Sequence, residues 1–297
     1  VLEENLYERV FNKSGIFTID EEDDKLSFRH RSFGEYLYAK AANADNKLIS
    51  IENSLDAYWV ETTFFYIGIK GDCPEIIEKL FNLHPNDERE LWIKILCLPD
   101  YSLAGYQTEY AIVENNLYSL FIQAAKLYND IKSNKVKSKL IELSEMHLLW
   151  FFQRIIRYCY NYEYLKPSIS TTILKIHDSD EDINDKMYAL FFASCFAAQL
   201  EDSSGFEFLV TNYSAEILPL QISMAIEMET RNKKDFSKLP LIKAHEKRLR
   251  SLLASKIKAN GKSFNLRGAA SDTDKKITEL FETPLKLSIS KKNIAPS

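Results

Sequence analysis

A chain of 297 residues with 45% hydrophobic and 27% charged residues has the composition of a folded protein, long enough for one large core or two modest domains. Its formal net charge of −5 excludes a global field that would draw it to nucleic acid or to an acidic membrane. Eight glycines and eight prolines are too few to punctuate an all-β or doubly wound fold, so the expected fold class is mainly α.

Residues 1–13 place Leu2, Leu6, Val10 and Phe11 on one helical face, and Ser14-Gly15 ends that helix, Gly15 being suited to a left-handed position. Ile16–Ile19 and Lys25–Arg29 flank an acidic turn and read as the strands of a hairpin. Ser32 and Glu35 fit a capping box, with Ser32 at the N-cap of a helix that carries Phe33, Tyr36, Leu37 and Ala41 as its apolar stripe. Tyr58, Trp59, Phe64, Phe65 and Tyr66 follow as an aromatic block expected in the core. Pro74 opens a short helix over 75–83, and another over 91–98 is expected to stop at Pro99. Leu117, Leu120, Phe121, Ala124, Leu127, Tyr128 and Ile131 keep helical spacing. The pattern continues less regularly over 136–165, restarts at Pro167 and again over 187–200, and gives two further helices around Pro219. Such segments suggest stacked antiparallel pairs without a fixed repeat period, an irregular helical-repeat-like array.

From Lys243 to Arg267 basic residues accumulate, while Leu249, Leu252, Leu253 and Ile257 still support one amphipathic helix. A solvated helix face explains this stretch better than a nucleic-acid interface, because no aromatics are interleaved. Cys73, Cys97, Cys159 and Cys195 form no CxxC pair; they lack zinc spacing and read as buried thiols of a reducing cytosol. His84, His147, His177 and His245 are dispersed, so no metal site is expected. No apolar run reaches the ~18 residues of a membrane-spanning helix. Val1-Leu2-Glu3-Glu4 resembles neither a signal peptide nor a natural start, which points to a piece of a longer, cytoplasmic chain.

The segment Phe28-Arg29-His30-Arg31-Ser32-Phe33-Gly34-Glu35-Tyr36-Leu37-Tyr38-Ala39, behind its hairpin, resembles the end of the winged-helix domain in NACHT-type STAND NTPases, the family of Nod-like receptors and bacterial anti-phage relatives. The resemblance covers residues 1–42 and departs at Gly34, where the family carries glutamine. It implies three parts: a C-terminal remnant of a winged helix (1–42), an α-helical sensor arm of degenerate repeats (43–260) and a polar, poorly ordered tail (261–297).

The resemblance also implies that His30 contacts the β-phosphate of ADP in the resting state, with Arg31 a weaker second candidate. Residue chemistry supports the idea, since a histidine just ahead of a helix N-terminus joins a set of N–H donors suited to an anion. The competing reading is a histidine that only satisfies backbone groups. No GxxxxGK[ST] loop occurs, so the chain is not expected to be an enzyme. ADP, ATP and Mg would belong to the parent protein, and no cofactor to this chain. Implied partners are an upstream nucleotide-binding domain, a protein trigger and, on activation, further copies of the protein; membrane is not among them. A helical protein-binding scaffold without nucleotide linkage is the alternative function. Nucleic-acid binding ranks below it, because Glu3, Glu4 and Glu8 outnumber Arg9 and Lys13 in the first helix.

Overall fold

Two short strands, β1 (Phe17–Asp20) and β2 (Lys25–Phe28), pair antiparallel with Phe17 opposite Phe28 and Ile19 opposite Leu26. The Phe17 and Phe28 rings meet at 4.9 Å, and the Thr18 and Ser27 hydroxyls at 2.8 Å, so cross-strand side-chain pairs hold this hairpin. Gly15 leads into it at φ 70°, a left-handed position that glycine adopts without penalty. The computed structural model describes residues 9, 14–20, 25–45, 48–159, 163–202, 204–213, 217–219, 221–223 and 225–226. The helix expected over 1–13, the basic helix near 243–267 and the tail 261–297 lie outside the described residues, Arg9 excepted.

Helix α1 (Arg31–Ala44) follows the hairpin directly. Its small residues Ala39 and Ala42 are fully buried against Tyr66 of α2 (Val60–Lys70), with Ile49, Phe65, Ile69 and Ile76 packed around them. The two alanines let the helices approach closely, and this cluster ties the hairpin unit to everything downstream. The capping box expected at Ser32 is not formed. The N-cap is His30, and Glu35 turns to Arg31 in an ion pair of 2.6 Å, which holds Arg31 inside the helix and starts it two residues earlier than expected.

Next come α3 (Pro74–Asn82), with Pro74 at its first position, and α4 (Glu88–Ala104). Pro99 does not stop α4 as expected but lies buried inside it. A proline there costs ~3 kcal/mol, but Ile95, Leu98 and Tyr101 on the same stretch are each at most 1% exposed, and burial of three such side chains outweighs that cost. The Tyr101 hydroxyl reaches the carbonyl of Ser54 at 3.2 Å, in the short 3-10 turn Ile51–Leu55.

The remaining helices are α5 (Tyr110–Lys132), α6 (Glu145–Cys159), α7 (Ile169–Asp178), α8 (Ile183–Gln199) and α9 (Ser204–Asn212). Pro167 sits within a 3-10 turn, Glu163–Ser168, immediately before α7 rather than opening it. Every residue of α8 from Met187 to Ala198 is buried, the signature of a helix apolar all round. It packs against α5, α6, α7 and α9 and so forms the axis of the main core. Aromatic rings mortar this centre: Phe152 stacks on Phe192 at 5.7 Å, and Tyr128 lies 4.4 Å from Tyr188. Gly205 of α9 meets α8 so closely that a Cβ there would stand 2.8 Å from the Ser194 Cα.

Candidate functional site

β2 delivers the chain to His30 in extended conformation (φ −125°, ψ 132°), and the helix begins at the next residue. His30 therefore stands at the N-cap itself. Its carbonyl accepts from the Phe33 N–H at 3.1 Å, while no side chain caps α1 and its first turn carries no carboxylate. The N-terminal partial positive charge of a 14-residue helix is thus not offset by an acid of that turn. The imidazole is exposed, 6.1 Å from the Phe33 ring. Helix N–H groups beside an imidazole offer the donors that an anionic oxygen takes.

Arg31, the other candidate, is engaged elsewhere. Its Nε pairs with Glu35, its Nη2 donates to the Tyr58 carbonyl at 2.7 Å, and its guanidinium lies 4.6 Å over the Tyr58 ring. This arrangement clamps α1 to the segment before α2. It also corrects the expectation for the aromatic block. Tyr58 is 63% exposed and serves as the Arg31 platform, whereas Tyr66 is buried and Trp59, Phe64 and Phe65 are half-buried.

Gly34 marks the departure from the family pattern, and the structure gives it a local cause. A Cβ at this position would lie 3.0 Å from the Phe28 ring, which folds over the helix start. Phe28 is itself 39% exposed, and Leu26 on the same strand face and Phe33, Tyr36 and Leu37 on α1 are exposed as well. The hairpin and the first two turns of α1 thus present apolar side chains around His30.

Other polar features lie away from this corner. Lys94 on α4 is 4% exposed; its Nζ donates to the carbonyls of Phe81 at 2.5 Å and Leu83 at 2.7 Å, at the C-terminus of α3. Burial pushes its ammonium down to about 8. Nothing in the sequence marked it, because a lysine in an amphipathic helix reads as exposed. His147 Nδ1 meets Ser144 at 2.8 Å, and His177 Nδ1 meets the Tyr213 hydroxyl at 2.9 Å. Among the described residues no three His, Cys, Asp or Glu side chains are placed to hold a metal ion. Cys73 and Cys195 are buried, Cys97 is half-buried, and none of these three is in a disulfide. No helix of the described residues is long and apolar enough to cross a membrane. Tyr164 is half-buried, and its carbonyl accepts from the Tyr110 hydroxyl at 2.8 Å; the side chains of Tyr158, Tyr160 and Tyr162 lie outside the described residues.

No curated protein and no solved structure matches the chain. One family model does, that of the NACHT C-terminal helical domain 1, over residues 100–275. The match starts inside α4, takes in α5 to α9 around the buried axis of α8, and continues beyond the last described residue. Since the matched residues make up more than half of its length, the chain belongs to the NACHT C-terminal helical domain 1 family.

Proposed function

We propose that the chain is the regulatory and sensing region of a NACHT signal-transducing NTPase, with His30 reading a nucleotide phosphate held by a separate nucleotide-binding domain. The observation that carries the reading is the exposed imidazole of His30 at an uncapped helix N-terminus. Membership of a NACHT-associated helical family supports it from the other end of the chain. The apolar side chains of Leu26, Phe28, Phe33 and Leu37 supply a surface on which a neighbouring domain docks in the resting state. In this reading Arg31 positions α1 and does not touch the phosphate.

The helices beyond α2 then carry the trigger. A trigger acts by binding the open, oligomerising state more tightly than the closed one, and its differential affinity sets how far the equilibrium moves. A cytoplasmic defence role belongs to the same proposal.

The test uses the protein that contains the nucleotide-binding domain, purified as wild type and as His30→Ala. Each is denatured and its released ADP quantified. Reduced ADP retention in a folded variant supports the phosphate contact; equal retention leaves His30 with a structural role and the scaffold function in its place.

A further inference from the structure

Residues 54–60 lead from the 3-10 turn Ile51–Leu55 into α2, and side chains from two other elements hold them. On one side Arg31 of α1 donates to the Tyr58 carbonyl at 2.7 Å and lays its guanidinium 4.6 Å over the Tyr58 ring. On the other side the Tyr101 hydroxyl of α4 donates to the carbonyls of Ser54 at 3.2 Å and Val60 at 3.4 Å. Tyr101 is 1% exposed, and burial raises its phenol above the ordinary value. The hydroxyl therefore keeps its proton as the donor that the two carbonyls share.

The strap between these two holds is stiff. The Asp56 N–H donates to the Asn53 carbonyl at 2.9 Å, the Tyr58 N–H to the Asp56 carboxylate at 2.8 Å and the Trp59 N–H to the Asp56 carbonyl at 2.8 Å. The Trp59 ring meets Tyr58 edge-on at 5.5 Å and Tyr38 of α1 at 5.3 Å. Ser54 and Leu55 are buried at its start. A segment whose backbone groups are bonded internally transmits a displacement instead of absorbing it.

The two holds belong to different parts of the chain. Tyr101 stands at the start of the stretch, residues 100–275, that matches the NACHT C-terminal helical domain 1 family, and its helix α4 packs on α5 and α6. Arg31 lies in the first turn of α1, next to His30. The later part of α1 is fixed by Ala39 and Ala42 against Tyr66, whereas Ser32, Phe33 and Leu37 in its first two turns are exposed. The start of α1 thus depends on the Arg31 hold more than its end does.

We propose that Tyr101 is a positioning residue for His30, acting through residues 54–60 and Arg31 to set where the start of α1 stands relative to the helical domain. A shift of α4 moves the strap, and the strap moves Arg31 and the His30 corner with it. By linkage, whatever holds His30 in place also biases α4. The use of this coupling in nucleotide control rests on the phosphate reading of His30; the coupling itself does not.

Native-state hydrogen exchange of the full chain tests the coupling with Tyr101→Phe, which removes the hydroxyl and keeps the ring. The amides of residues 35–38, the first to bond within α1, are expected to exchange roughly tenfold faster, the size of one lost buried hydrogen bond. Tyr110→Phe is the control: it removes a hydroxyl bonded at 2.8 Å to the Tyr164 carbonyl and leaves residues 35–38 at the wild-type rate. In Arg31→Ala the same amides are already fast, and adding Tyr101→Phe accelerates them less than about twofold further, because both changes break one route. Unchanged exchange at 35–38 in Tyr101→Phe, an equal response to Tyr110→Phe, or full additivity with Arg31→Ala overturns the inference. In the protein that contains the nucleotide-binding domain, Tyr101→Phe is expected to retain less ADP than wild type. Full retention there, while His30→Ala loses ADP, overturns the positioning role. Retention unchanged in His30→Ala sinks the phosphate reading alone, and the exchange result still decides the coupling.

Discussion

Arg31 donates from Nη2 to the carbonyl of Tyr58 at 2.7 Å while its guanidinium rests 4.6 Å above the same residue's ring. One side chain thereby ties the first turn of α1 to the loop before α2. Arg31→Ala is expected to lower stability by about 1 kcal/mol, through the lost cation–π contact and charge-assisted hydrogen bond of a largely exposed group. Arg31→Lys restores little, because the planar fork that bonds and stacks at once is gone. His30→Ala, one residue earlier, stays within about 0.5 kcal/mol of wild type, as expected for an exposed side chain without a capping bond. Chemical denaturation of the three variants checks the contrast, and amide exchange in α1 localises it.

Lys94 gives a pH signature. Its folded-state value of about 8 lies below the usual lysine value of roughly 10.4. Below pH 8 the ammonium is charged in both states and its burial opposes folding. Between about 8 and 10.4 the unfolded chain holds the proton more tightly than the folded one, so this group's contribution to stability rises with pH. Denaturation midpoints of wild type should therefore gain on those of Lys94→Met as pH is raised from 7 to 10. At pH 7 the variant loses about 2 kcal/mol, because the carbonyls of Phe81 and Leu83 at the end of α3 are left without their donor.

Gly205→Ala tests the contact of α9 with α8. The added methyl would stand 2.8 Å from the Ser194 Cα, which is backbone and cannot swing aside. A loss of about 1–3 kcal/mol is expected despite the better helix propensity of alanine. A shifted denaturation midpoint with an unchanged m value identifies the effect as one on stability.

Phe192→Ala removes a fully buried ring stacked on Phe152 at 5.7 Å, on the helix that α5, α6, α7 and α9 all touch. A cost of about 3–5 kcal/mol is expected, against a smaller one for Phe192→Leu, which keeps most of the volume. Urea unfolding of both variants measures the difference.

The sequence exposed the elements more clearly than their ends. Leu117 to Ile131 announces α5 because its apolar positions repeat at the helical period, and the Phe17–Phe28 hairpin because alternation brackets an acidic turn. Pro99 misled because local chemistry forbids it in a helix, while Ile95, Leu98 and Tyr101 bury enough surface to override that rule. Ser32 misled for the same kind of reason. A capping box is a local pattern, and Glu35 found a stronger partner in Arg31, itself held by Tyr58, distant in sequence by 27 residues. For the candidate site, the position of His30 just ahead of a helix was readable, whereas the engagement of Arg31 was not.

By itself the sequence determined the mainly helical class, the hairpin, most of the helices and the placing of His30 before α1. These follow from periodicity and turn chemistry, which act between residues a few positions apart. Tertiary structure alone decided that α8 is the buried axis, that Arg31 clamps Tyr58 and that Lys94 caps the end of α3. It also decided that Gly34 admits the Phe28 ring. Each of these rests on a contact between separate elements, whose free energy depends on burial and distance, and neither quantity is written in the local pattern of residues.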